Sequence, residues 1–212
     1  MTQQAVHVWG SASARTLRVY WALHELDLPF VSHPVRTRTA DMDAPAFLRV
    51  SPGRKIPAIE HGLLRLTESG AITDYLFKLA GAASSDVMVA ARIEQWSCFT
   101  LMEIDATALY VLRRHRDLPE IYGDAPAACQ AAEDYYFRQI NVIADELDDG
   151  REFIAGNSIS KADIFLVTCC EWALMYKLEV PAALLAYRER LVAREPYQAA
   201  YAVNFAAPVS AD

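Results

Sequence analysis

Apolar residues change their rhythm along this chain near residue 81. Before that point, short apolar runs alternate with amphipathic stretches. Ala5 to Trp9 reads as a strand that stops at Gly10. Leu17, Val19, Tyr20, Trp21, Leu23 and Leu26 place apolar groups on most faces of a helix predicted from Ala14 to Leu26, so that helix should lie between layers. Pro29 to Val35 predicts a second strand, with Pro34 marking an edge or an end. Residues 36–44 are polar without periodicity and read as a loop. Pro45 opens one helical turn that reaches Val50. Ala58 to Glu60 and Leu63 to Thr67 then form a hairpin around His61-Gly62, where Gly62 supplies the positive φ of a tight turn. Ser69 to Ala80 has Ile72, Tyr75, Leu76 and Leu79 on one helical face. The order β-α-β-α-β-β-α fits a small α/β domain over residues 1–80.

Gly81 to Asp86 is small and polar and reads as a linker over residues 81–86. Beyond it the strand signals stop, and residues 87–212 read as an all-helical domain. A long helix is predicted from Met88 to about Arg116, with Ile93, Trp96, Thr100, Ile104, Ala108 and Val111 as its core stripe. Pro119 and Gly123 interrupt it. A second long helix runs from Ala125 to Leu147, and Gly150 and Gly156 mark the following loop. Ser160 then N-caps a third helix to Tyr176. Asp163 stands at N3 to complete a capping box, and Ile159 and Ile164 occupy the staple positions. Shorter helices follow Pro181 and Pro196.

Apolar residues make up 53% of the chain, enough for a sizeable core. The net charge of −7 argues against a nucleic-acid partner. Small basic clusters, Arg36 with Arg38 and Arg113 with Arg114 and Arg116, suit a small anion at most. No apolar run approaches the roughly 20 residues of a membrane span, and no signal-peptide pattern opens the sequence. The four cysteines, Cys98, Cys129, Cys169 and Cys170, form no C-x-x-C pair. They read as small buried hydrophobes of a reducing compartment. The five histidines lack ligand spacing, so no metal is expected.

The most informative chemistry lies at Thr67-Glu68-Ser69-Gly70. A helix that opens at Ser69 presents backbone N–H groups and the positive end of its dipole, which suits a carboxylate. Glu68 adds a negative charge for an ammonium group. A ligand bearing both groups on one carbon, an amino-acid head, matches the pair. The competing reading makes Ser69 only an N-cap and Glu68 only a favourable first-turn charge.

Three stretches in order, Gly10-Ser11-Ala12-Ser13-Ala14-Arg15-Thr16-Leu17-Arg18-Val19, Ser51-Pro52-Gly53-Arg54-Lys55-Ile56-Pro57 and Thr67-Glu68-Ser69-Gly70-Ala71-Ile72, together with the helix start at Asp163, resemble the cytosolic glutathione S-transferase family. The likeness covers essentially the whole chain and is nearest to its serine-type, bacterial theta- and phi-like members. It implies a thioredoxin-like N-terminal domain, an all-α C-terminal domain, a cytoplasmic homodimer and a detoxification role. The dimer would form across the first domain of one subunit and the second of the other. Pro57 would follow a cis bond. Glutathione would be the co-substrate, with Glu68 and Ser69 at its γ-glutamyl end and the Ile56 backbone on its cysteinyl part. Lys55, helped by Arg36 or Arg38, would reach its glycyl carboxylate.

The family uses a Tyr, Ser or Cys near the end of the first strand. No Tyr or Cys occurs between Met1 and Val19, which leaves serine. Counting back from Arg15 selects Ser11, and counting back from Arg18-Val19 selects Ser13. Many bacterial members carry a Ser directly before the Arg, where this chain has Ala14. Ser13, nearer the expected helix start, is favoured. For either serine the competing role is a helix N-cap. A pocket between the domains for a small hydrophobic electrophile would be lined by Ala12, Leu101, Asp105, Tyr110, Arg113, Trp172 and Tyr176. The resemblance also admits a dehalogenase, isomerase or peroxidase, and a binding or structural protein that keeps the fold without turnover.

Overall fold

The computed structural model describes residues 4–206. The chain forms two compact units. One runs up to Ala83 and takes in the segment from Ala193 onward; the other is Ser84–Val192. The C-terminal helix therefore returns to the first unit, although the sequence pattern had grouped it with the preceding helices.

The first unit holds a four-stranded sheet ordered β2-β1-β3-β4. β1 (Val6–Trp9) pairs in parallel with β2 (Phe30–His33) and antiparallel with β3 (Ala58–His61), which pairs antiparallel with β4 (Leu64–Thr67). The parallel β1–β2 pair needs a crossover, which α1 (Ala14–Glu25) provides. Every residue from Thr16 to Leu23 is buried, as expected of a helix apolar on most faces. Tyr20 ties α1 to the sheet: its hydroxyl donates to Gly10 O at 3.1 Å and bonds Ser32 Oγ at 2.6 Å. On its other side α1 packs against α10 (Glu195–Asn204). Trp21 meets Tyr197 edge-on, and Arg194 pairs with Glu25. α2 (Pro45–Val50) and α3 (Ser69–Leu79) complete the unit.

Two local expectations differ from the structure. His61 remains in β3 and pairs with Leu64, so the turn is Gly62-Leu63 rather than His61-Gly62. Gly62, at φ +60°, supplies the positive φ from the first turn position. The His61 ring holds the strand in register by bonding Tyr75 through Nδ1 at 2.6 Å. Pro34 lies just past β2, and a 3₁₀ turn at Ala40–Asp43 interrupts the segment expected to be loop.

The second unit is helical. Its long first helix begins as α4 (Val87–Phe99) and widens to π geometry over Thr100–Leu109. It tightens at α5 (Tyr110–Leu112) and widens again over Arg113–Asp117. A π turn holds about one residue more than an α turn, so the buried stripe slips by one position. Leu112 is buried where an α-helical period selects Val111. α6 (Pro119–Tyr122), α7 (Pro126–Glu146), α8 (Lys161–Met175) and α9 (Ala182–Val192) follow. The capping box at Ser160 and Asp163 is complete. The buried Asp163 carboxylate also accepts from Ile154 N–H at 2.8 Å and from the Tyr187 hydroxyl. Burial pushes its pKa up against the pull of these bonds. Cys129, Cys169 and Cys170 are buried, but Cys98 is exposed, correcting the expectation for that residue. Position i+1 from the buried Ser97 turns Cys98 outward, toward Glu94.

Candidate functional site

Two segments of the first unit carry the residues singled out by sequence. One is the turn from Gly10 to Ser13, between β1 and α1. Ser13 N-caps α1: its Oγ accepts from Thr16 N–H at 3.1 Å and lies 2.8 Å from Thr16 Oγ1. Thr16 is fully buried and Ser13 half-buried. If the Thr16 hydroxyl donates as well, Ser13 accepts twice and its own proton points elsewhere. Ser11 is 5% exposed, and its Oγ has no hydrogen-bond partner. Ala12 between them is exposed with φ +53°, a region that L side chains seldom occupy. Asn204 of α10 grips this turn, accepting from Ala12 N–H at 2.7 Å and donating through Nδ2 to Ser13 O at 3.0 Å.

The other segment is the start of α3. Glu68 is exposed at φ +67°, and no side chain caps the helix. Ser69 is buried, and its Oγ accepts from Arg18 Nη1 at 3.3 Å. Arg18 is itself fully buried. Thus α1 carries Ser13 at its first turn and, five residues later, the guanidinium that sits behind Ser69. Sequence reasoning placed Arg18 in a motif but missed this role, because the contact spans 51 residues of chain. Strained non-glycine backbone at both segments is the kind of feature that clusters at binding sites.

The loop ahead of β3 is fixed by Ser51, whose Oγ donates to Lys55 O at 2.8 Å and accepts from Lys55 N–H at 3.0 Å. The Lys55 side chain is exposed, Ile56 is half-buried and Pro57 is buried after a cis Ile56–Pro57 bond. Arg36 donates to Ala206 O at 3.0 Å, so its guanidinium is held by the C-terminal segment. The remaining candidates lie in the second unit. Asp105 and Trp172 are buried, whereas Leu101, Tyr110 and Arg113 are half-buried. Tyr110 lies under the Arg114 guanidinium at 5.1 Å, and the Tyr176 hydroxyl donates to Asp117. Burial raises the Tyr176 pKa, so the phenol stays protonated. Among the described residues no group of three His, Cys, Asp or Glu could hold a metal ion. No described helix is long and apolar enough to cross a membrane.

Comparison with known proteins matches these two regions to two paired sequence families. Residues 12–79 match the glutathione S-transferase N-terminal domain, and residues 125–191 match the glutathione S-transferase C-terminal domain. The chain belongs to the cytosolic glutathione S-transferase family. It is 26% identical over 186 residues to glutathione S-transferase TCHQD of Arabidopsis thaliana, covering 71% of this chain and 70% of that protein. It is 26% identical over 156 residues to glutathione S-transferase theta-1 of Rattus norvegicus, covering 71% of this chain and 65% of the relative. A probable elongation factor 1-gamma 1 of Arabidopsis thaliana is 33% identical over 132 residues, covering 58% of this chain and 30% of that protein. Among solved structures, a glutathione transferase family member from Pseudomonas fluorescens Pf-5 with two glutathione molecules bound superposes at TM-score 0.79 with 25% identity. That match covers 93% of this chain and 92% of the other. The observed architecture, a thioredoxin-like mixed sheet with its helices followed by a helical part, is the glutathione S-transferase fold.

Proposed function

We propose that this protein is a glutathione transferase that activates the glutathione thiol for attack on small apolar electrophiles. The observation that carries the reading is the start of α3. An exposed Glu68 at positive φ precedes a buried Ser69, and the buried Arg18 guanidinium lies behind that serine. A γ-glutamyl head brings one carboxylate and one ammonium group. The carboxylate meets Ser69, the helix N-terminus and the field of Arg18; the ammonium meets Glu68. Lys55 and the Ile56 backbone take the rest of the tripeptide, beside cis Pro57.

Ser13 is favoured over Ser11 as the hydroxyl that faces the sulfur. It is half-buried, and its cap bond from Thr16 N–H uses an acceptor lone pair and leaves the hydroxyl proton available to a sulfur, whereas Ser11 is nearly inaccessible. A free thiol has a pKa of about 8.5, so only a few per cent is thiolate at neutral pH. Lowering it by about two units takes about 2.7 kcal/mol. One hydrogen bond to the anion and the end of α1 are of that order. The thiol proton leaves to solvent. Sulfur then forms a bond to the electrophilic carbon as a leaving group departs or a conjugated π bond takes up the electron pair. Ala12, Leu101, Asp105, Tyr110, Arg113, Trp172 and Tyr176 are the residues proposed to hold that electrophile. The reading includes a cytoplasmic homodimer, supported by four free cysteines and by exposed Val87, Met88 and Met102.

The test couples calorimetry with glutathione to conjugation of a chloronitrobenzene at neutral pH. Binding with turnover, and loss of about tenfold or more of that turnover in Ser13→Ala, is expected. Binding without turnover on any aryl halide, peroxide or alkyl halide would sink the transferase reading and favour a binding role. The elongation-factor relative, whose name specifies no glutathione chemistry, keeps that outcome in view.

A further inference from the structure

The turn that carries Ser11 and Ser13 does not hold its own shape. Ala12 sits at φ +53°, and neither Gly nor Asn is present there to make that region inexpensive. Gly10, at φ +136°, leaves the other end of the turn equally unusual, and a Cβ there would fall 3.0 Å from Ile56 Cβ and 3.1 Å from Thr16 Oγ1. What fixes the strained residue comes from the far end of the chain. Asn204 is 0% exposed. Its backbone carbonyl accepts from Ala12 N–H at 2.7 Å, while its side-chain Nδ2 donates to Ser13 O at 3.0 Å. Two bonds from one residue thus bracket the φ,ψ pairs of both Ala12 and Ser13. The remaining polar atom of the side chain, Oδ1, is buried without a partner. A buried amide that leaves one of its groups unmatched is costly, so the side chain is placed here by the bond it does make.

The helix that delivers Asn204 is itself anchored to α1. Arg194 pairs with Glu25 at the far end of α1, Tyr197 packs edge-on against Trp21 with ring centroids 5.0 Å apart, and Asn204 closes the near end. α10 therefore runs along α1 and terminates on its N-cap.

We infer that Asn204 is a positioning residue for thiol activation: it locks the Ser11–Ser13 turn so that the N-cap hydroxyl is preset against the glutathione sulfur. The inference rests on the glutathione reading above. It assigns to α10 a part in thiol activation, whereas the residues proposed to bind and activate glutathione all precede residue 80. Asn204 touches no reacting atom; it acts through the serine turn.

The experiment uses the full-length protein and two variants. Asn204→Ala removes the side-chain bond and keeps the backbone one. Asn204→Leu keeps the branched shape but cannot donate to Ser13 O and adds no charge, and it stands in if the alanine variant folds poorly. The ultraviolet thiolate absorbance of bound glutathione is titrated against pH, alongside calorimetric affinity and turnover. The bound thiol pKa should rise by about one unit, so the thiolate fraction and turnover at about pH 7 should fall about threefold, while affinity falls by no more than about threefold, the part linked to the thiol proton, because Glu68 and Ser69 are untouched. A residue of merely structural importance would lower the melting temperature and leave the thiol pKa of the folded fraction at its parental value; that result overturns the inference. Failure of the underlying reading is separately visible. If the parent binds no glutathione, amide exchange at Ala12 decides the clamp alone: faster exchange in Asn204→Ala sustains it, and unchanged exchange ends it. If Ser13→Ala leaves the thiol pKa alone but Asn204→Ala raises it, the clamp stands and the activating group is another part of the turn.

Discussion

The starts of α3 and α8 show what separates a helix end that stabilises the protein from one available to a ligand. Both begin with a serine beside an acidic residue. At α8 the chain satisfies itself. Ser160 and Asp163 form a reciprocal box, and Asp163 also takes Ile154 N–H and the Tyr187 hydroxyl, all in buried surroundings. At α3 the acid is Glu68, outside the helix rather than at N3. It is exposed, held at φ +67°, and caps nothing. The serine there is turned inward to Arg18. One helix start consumes its hydrogen-bonding capacity in folding. The other keeps a charge and a helix dipole facing outward and spends conformational strain to do so.

The largest effect should come from breaking the self-satisfied start. Asp163→Ala leaves the Ile154 and Ser160 N–H groups and the Tyr187 hydroxyl buried without their acceptor. A loss of about 3–5 kcal/mol is expected, read as a shifted urea midpoint or failure to fold. A cost below about 1 kcal/mol would mean that the Asp163 network is not holding the second unit together.

At α3 the corresponding change should act on binding more than on folding. Ser69→Ala should weaken glutathione by about 1.5–3 kcal/mol by calorimetry, the range of a hydrogen bond to a charged group. Unchanged affinity would remove this helix start from the site.

Glu68→Gly sharpens the contrast further, because the two properties should move in opposite directions. Glycine accepts a positive φ at no steric cost, so stability should rise by up to about 1 kcal/mol in denaturant melts. Glutathione affinity should fall at the same time, as the ammonium partner is lost. A variant that is less stable than the parent would show that Glu68 serves the fold rather than the ligand.

The smallest effect is expected away from both helix starts, on the sheet. Burial first, and the neighbouring His7 second, hold the His33 pKa below its ordinary value, with Glu60 opposing. The unfolded chain then takes up this proton more readily than the folded one. The contribution is therefore present above about pH 6.5 and is lost as pH falls through the lowered folded-state value. His33→Gln should flatten the melting temperature slightly on the acid side of neutrality and leave glutathione affinity alone. An equally steep acid decline in the variant would assign it to other groups.

The parts of this protein whose physics is local were legible along the chain. Period-2 and period-3.6 patterning placed the strands and most helices, Gly62 announced a hairpin, and Ser160 with Asp163 announced a capped helix, since each signal links residues only a few positions apart. Three recurring stretches were enough to identify the family. Tertiary structure decided the rest. It set the π register that buries Leu112 in place of Val111, turned Cys98 outward, and carried α10 back to the first unit. It also brought Arg18 to Ser69 across 51 residues, Tyr187 to Asp163 across 24 and Asn204 to Ser13 across 191. No periodicity encodes such pairs. A buried polar group takes whichever partner the packed chain delivers, and that choice is made by the fold as a whole.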